Sequence, residues 1–177
     1  PNRQRHPHGQ HLRGAGHDVV WWTSSFDHIQ KRQLSDTQAV GLARDHGVRL
    51  LPSPGYRRNL GLARLRDHAV MGLQFWRQAL REGQRPDVIW CSYPPIETAL
   101  AAVRVGRRLG VPVALDIRDL WPDVFLDVLP SWARPLGRVA LGPYFWASRH
   151  ALAAAAGLVG VSQSYLDWGL RRAGRPA

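Results

Sequence analysis

Residues 85–123 read RPDVIWCSYPPIETALAAVRVGRRLGVPVALDIRDLWPD, and their pattern decides the fold. The apolar run 87–92 has the length of a strand and is bounded by prolines. Pro94 and Pro95 suit a helix start, where the missing N–H is not needed. Ile96, Ala99, Leu100 and Val103 then recur at helical steps, while Arg104, Arg107 and Arg108 turn outward together. Gly110 stops that helix, and residues 111–117 form a second apolar run ending at Arg118 and Asp119. Two strands that are apolar throughout, joined by a helix, predict a parallel pair in a covered sheet.

The same alternation extends outward in both directions. Residues 19–23, VVWWT, and 48–51, VRLL, read as strands. Residues 62–81 carry Leu62, Leu65, Ala69, Leu73, Trp76 and Leu80 at helical spacing. Pro130 and Pro135 bracket the start of a long helical region that runs to about residue 156. Residues 158–161 are a last strand, and Ser162 is placed to cap a helix over 165–172. The fold class is therefore α/β, an open and mostly parallel sheet with helices on both faces. Residues 1–15, with Leu12 as their one large apolar side chain, are expected to be an irregular segment, and residues 16–177 one domain.

Composition narrows the function. The chain has 177 residues, with 24 basic and 13 acidic side chains for a net charge of +11, and Lys31 is its only lysine. That surface suits nucleic acid, anionic lipid or phosphorylated ligands, against a background of solvated arginine. Cys91 stands alone, which excludes an internal disulfide and a cysteine-rich zinc site, and inside an apolar run it reads as a core residue. His6, His8 and His11 lack structured partners, so no metal site is expected. Gly14 and Gly16 precede a strand instead of following one, so they are not a dinucleotide fingerprint, and no phosphate-binding Walker loop is present. The stretch 143–150, PYFWASRH, suits either a membrane headgroup layer or packing on the sheet.

Ligands of open α/β sheets bind beyond the C-terminal ends of the strands. That rule selects Ser24 and Ser25, then Ser92, Tyr93 and Glu97, then Arg118, Asp119 and Trp121, and finally Ser162. The segment 116–123, DIRDLWPD, is the densest of these, and strand alternation turns Asp116 and Arg118 to one face with Asp119 on the rim. An ion pair that only holds a loop is the competing explanation.

Five stretches in order resemble the N-terminal half of a family 4 glycosyltransferase of the bacterial surface-polysaccharide type: GHDVVWWTSSFDH from residue 16, PSPGYRRN from 52, RPDVIWCSYPPIETALAA from 85, VPVALDIRDLWPDVF from 111 and GLVGVSQSYLDWGL from 157. The resemblance implies a Rossmann-like domain, one half of a two-domain GT-B enzyme that holds the acceptor. It implies a retaining, metal-independent hexosyl transfer from a nucleotide-sugar bound by the other half, with no cofactor in this one. Asp119 and Arg118 are then the catalytic candidates. Ser92, Tyr93, Pro95, Glu97, Trp121, Ser162 and Ser24 line the acceptor side. The acceptor is a sugar, often lipid-linked, and the expected setting is the cytoplasmic face of an anionic membrane.

Two departures qualify the resemblance. Glu82 and Glu97 lie in different elements, so the family's donor-site pair of glutamates seven residues apart is missing. The family's opening strand should precede Gly16, and the first fifteen residues do not supply it. The expectation is a truncated glycosyltransferase that does not transfer sugar alone. The alternative is a basic α/β binding module for nucleic acid or anionic surfaces without chemistry, with nucleic acid the less expected partner.

Overall fold

A helix stands where irregular structure was expected: α1 spans Pro7–Gly14 in the computed structural model, which describes residues 7–44, 47–58 and 61–176. Proline fits its first turn, and the Arg13 guanidinium in its last turn donates to the Val19 carbonyl at 2.8 Å. Leu12, the one large apolar side chain of α1, is exposed. His6 lies outside the described residues.

The chain divides into two compact units between Asp67 and His68, where one body from residue 16 was expected. Each parallel sheet is complete within its own unit. In the first, β1 (Trp21–Ser24) pairs in parallel with β4 (Val48–Leu51), Trp21 opposite Val48 and Ser24 opposite Leu51. Between them the chain makes a short antiparallel hairpin, β2 (Phe26–Asp27) with β3 (Arg32–Gln33), and then α2 (Asp36–Arg44). Two-residue strands carry no readable period, which hid the hairpin. Phe26, Leu51 and Tyr56 are buried here, with the Phe26 and Tyr56 rings 5.1 Å apart. Asp67 accepts from the Ser53 hydroxyl and, at 2.6 Å, from the Gly55 N–H, which fixes the loop after β4.

Helix α3 (Leu62–Glu82) confirms the helical spacing but not the face. Leu62, Leu73 and Trp76 are exposed, whereas His68, Gly72 and Phe75 are buried. A close approach explains the choice: a Cβ at Gly72 would come 2.9 Å from the Glu97 carbonyl oxygen. A face that meets another backbone selects for a missing side chain, not for a large apolar one.

The second unit is built on a parallel sheet of order β5 (Ile89–Tyr93), β6 (Val113–Ile117) and β7 (Gly157–Gly160). Helix α4 (Ile96–Leu109) connects β5 to β6 and ends on Gly110 at φ 67, as its sequence implied. After β6 comes α5 (Val124–Asp127), and the helical region expected from Pro130 follows as a 3-10 turn (Ser131–Ala133), α6 (Arg134–Ala140) and α7 (Gly142–Ala154). The break between α6 and α7 falls at Leu141, just before Gly142 and Pro143. Helix α8 (Gln163–Ala173) follows β7.

Three contacts place α4, α7 and α8 over the same face of this sheet. A Cβ at Gly106 of α4 would meet the Val113 side chain, one at Gly169 of α8 would meet Ile117, and the Tyr93 hydroxyl reaches Ser148 of α7. Cys91, Tyr93, Val113, Leu115 and Ile117 are buried under them. The parallel, Rossmann-like reading of the strands therefore stands.

Candidate functional site

Backbone bonds hold the C-terminal ends of β5, β6 and β7 together. The Arg118 N–H donates to the Tyr93 carbonyl at 2.8 Å, and the Val161 N–H to the Ile117 carbonyl at 3.2 Å. Ser92, Arg118 and Ser162 accordingly share one rim of the sheet, and all three are exposed. Asp116 lies directly opposite Ser92 in the β5–β6 register and is buried. Its Oδ2 accepts from both Nε and Nη2 of Arg118 at 2.8 Å. Two of the five guanidinium donors are thus spent on orientation, and a side chain 42 % exposed keeps the rest for solvent or ligand.

Asp119 serves the loop that follows. Its Oδ1 accepts from the Leu120 N–H at 2.8 Å and its Oδ2 from the Trp121 indole N–H at 3.0 Å. With both oxygens engaged, this carboxylate positions Trp121 and leaves Arg118 as the available charged group. Trp121 itself is buried, edge-on to Phe125 at 4.6 Å and against His68 at 5.6 Å.

Tyr93 has no accessible surface; its hydroxyl donates to the Trp121 carbonyl at 2.6 Å and pairs with Ser148 Oγ at 2.8 Å. Tyr93 and Trp121 were expected to line the acceptor side, and both rings are buried. Both support the rim from below, each polar tip finding the partner that burial demands. The same burial pushes the Tyr93 hydroxyl well above the usual tyrosine range.

Pro95 occupies the position before α4, and Glu97 sits in that helix's first turn. Glu97 Oε1 accepts from the Tyr144 hydroxyl at 2.9 Å, and Oε2 lies 4.0 Å from His68 Nδ1. Burial, and next the facing Glu97 charge, raise the Tyr144 hydroxyl. His68, Tyr144 and Ser148 had not been singled out, because each is an isolated residue on a helix with no motif around it. Ser162 stands at the start of α8 with extended backbone, but its hydroxyl bonds to Ser164 at 2.9 Å and not to a helix N–H, so the expected side-chain cap is absent. Ser24 belongs to the first unit, where its hydroxyl accepts from the Phe26 N–H at 2.9 Å and closes the bend after β1.

The sequence pattern of the glycosyl transferase 4-like domain matches residues 3–177. The chain belongs to that family. It is the N-terminal-type domain of family 4 glycosyltransferases. No curated protein and no solved structure matches the chain.

Each unit of this glycosyltransferase-type domain also carries an open cleft of its own. In the first unit a cleft of about 710 Å³ is bordered by Lys31, Arg32, Arg57 and Arg58, with no acidic residue among the described residues that line it. The Lys31 ammonium lies 4.4 Å from the centre of the Tyr56 ring, a cation–π contact on the cleft wall. In the second unit a cleft of about 650 Å³ lies between α7 and α8, where Asp123 accepts from the Trp168 indole at 3.0 Å and from Arg172.

Cys91 is a free, buried cysteine. Burial, and next the Asp116 charge, push its thiol up to about 12. A thiol reagent at mildly alkaline pH is expected to leave the native domain unlabelled and to label it once denaturant unfolds it; rapid native labelling would show that β5 opens readily.

Proposed function

We propose that this domain is the acceptor-binding half of a retaining glycosyltransferase that builds bacterial cell-surface polysaccharide. In this reading a hexose is transferred from a nucleotide-sugar held by a separate donor domain. No metal or cofactor is used, and these residues alone turn over no sugar. The acceptor is a sugar on a lipid diphosphate, met at the cytoplasmic face of an anionic membrane.

The observation that carries the proposal is the Asp116–Arg118 pair. A buried carboxylate aims a half-exposed guanidinium from the strand-end rim, next to Ser92 and Ser162. A fixed guanidinium fork suits the oxygens of a diphosphate or of a sugar leaving group. Pro95 and Glu97 shape the mouth of the rim at α4, Asp119 holds the Trp121 loop, and Tyr93 and Trp121 act as positioning residues beneath it. The basic cleft of the first unit supports an anionic acceptor as well. Among the described residues no helix is long and apolar enough to cross a membrane, which accords with docking from one side.

The test is the binding of a short-chain polyprenyl-diphosphate hexose to the 177-residue chain, followed by tryptophan fluorescence. Arg118→Ala should weaken it at least about tenfold, the value of a charge-assisted hydrogen bond. A nucleotide-sugar should bind far more weakly. The cleft bordered by Lys31, Arg32, Arg57 and Arg58 favours nucleic acid as a second reading. Affinity for DNA that collapses with salt, with none for the lipid-linked sugar, would favour that reading.

A further inference from the structure

The segment from the 3-10 turn through α7 carries a second periodicity, one that faces water. Trp132, Leu136, Val139, Pro143 and Trp146 follow one another at steps of four, three, four and three residues. Such steps keep one side of a helix. Trp132, Leu136 and Val139 are 77 %, 70 % and 79 % exposed, and Trp146 is exposed as well. The stripe crosses the joint between α6 and α7 because the Leu141 N–H donates to the Gly137 carbonyl and the Phe145 N–H to the Leu141 carbonyl.

The opposite side is the packed one. A Cβ at Gly137 would meet Leu129 and Leu126, and Ser148, Ala151 and Leu152 are buried. Single exposed apolar residues are ordinary, but a continuous row of large ones marks an interaction surface.

Charge identifies the occupant. No aspartate or glutamate occurs between Asp127 and Asp167, whereas Arg134, Arg138 and Arg149 are all exposed there. Arg138 stands on α6 and Arg149 on α7, so each of the two helices that carry the stripe also carries an exposed arginine. Trp146 and Arg149 continue into the cleft between α7 and α8, whose border adds Arg171 and Arg172 and one acid, Asp123, which is paired with Arg172. A second copy of the chain would bring this cationic face against itself, which charge opposes. An anionic lipid surface answers both features: tryptophan at the headgroup level, aliphatic side chains at the acyl boundary and arginine on phosphate.

We propose that the outer face of α6 and α7 docks the domain on a bilayer containing anionic phospholipid, with the helices lying in the plane of the interface. The proposal rests on the acceptor-side reading for its biological setting alone. Vesicle binding measured without any sugar passes or fails apart from that reading.

The experiment is flotation of the whole chain with vesicles of phosphatidylcholine, alone or mixed with phosphatidylglycerol. Partitioning into the mixed vesicles should be at least about tenfold stronger and should weaken with salt. The triple variant Trp132→Ser, Leu136→Ser, Val139→Ser should lose at least about tenfold of it. Arg138→Gln with Arg149→Gln should cost about fivefold for each charge removed, with an unchanged circular dichroism spectrum in both variants. Equal binding to neutral vesicles, or full binding by the triple variant, would overturn the proposal. So would self-association that the triple variant abolishes in a chain that ignores vesicles, since the face would then belong to a second copy.

Discussion

Replacing Tyr93 by alanine should lower the unfolding free energy by about 4 kcal/mol, the cost of emptying a large aromatic from a packed core. That is a large share of the 5–15 kcal/mol available to typical domains, so the unfolding midpoint should fall markedly. Two terms contribute. The ring occupies a site with no solvent access beneath the sheet rim, within 6.0 Å of Trp168, and nothing nearby can refill it. The hydroxyl satisfies the Trp121 carbonyl and Ser148 Oγ, both of which would be left buried without it.

Tyr93→Phe isolates the second term and should cost about 1–3 kcal/mol. Denaturant titration measures both. The pair also separates support from recognition: folded Tyr93→Phe should bind the polyprenyl-diphosphate hexose as the parent does. A tenfold loss of affinity at unchanged stability would return Tyr93 to the acceptor pocket.

Gly106→Val should be nearly as damaging, by about 3 kcal/mol, at the upper end of overpacking costs. Helix α4 lies so close to β6 that a Cβ at Gly106 would stand 2.4 Å from a Val113 methyl and 2.7 Å from the Val111 carbonyl oxygen. A side-chain methyl can shift by rotation, but the backbone carbonyl cannot, so α4 would have to lift from the sheet. Because Pro95 and Glu97 are carried by the same helix, the shift should also disturb the rim. Gly106→Ala should cost less, since alanine recovers about 1 kcal/mol of helix propensity. Thermal and denaturant unfolding of the two variants gives the order; a valine variant as stable as the parent would mean that α4 is free to move.

The strand–helix–strand reading of residues 85–123 survived in the structure because burial on one side and arginine on the other leave a strong period in α4. The parallel pairing of β5 with β6, the stop at Gly110 and the rim position of Arg118 follow from that period. Two other features had no signature of this kind. The buried face of α3 is chosen by a glycine against Glu97, and a missing side chain has no hydrophobicity to detect. Pairing of Glu97 with Tyr144, and its approach to His68, join residues from three helices, so no local spacing announces them.

The roles of Asp119 and Arg118 could not be told apart from DIRDLWPD alone. Distance settles the partners: Arg118 goes back to Asp116, and Asp119 forward to Leu120 and Trp121. Sequence alternation had already turned Asp116 and Arg118 to one face. Asp119, and not Asp116, makes the hydrogen bonds to the loop after β6.

Amide chemical-shift mapping of the 177-residue chain, titrated with the polyprenyl-diphosphate hexose, tests the central claim most directly. The largest changes should fall on Ser92, Arg118, Ser162 and the first turn of α4. Changes confined to residues around Lys31 and Arg58, with that rim silent, would contradict it.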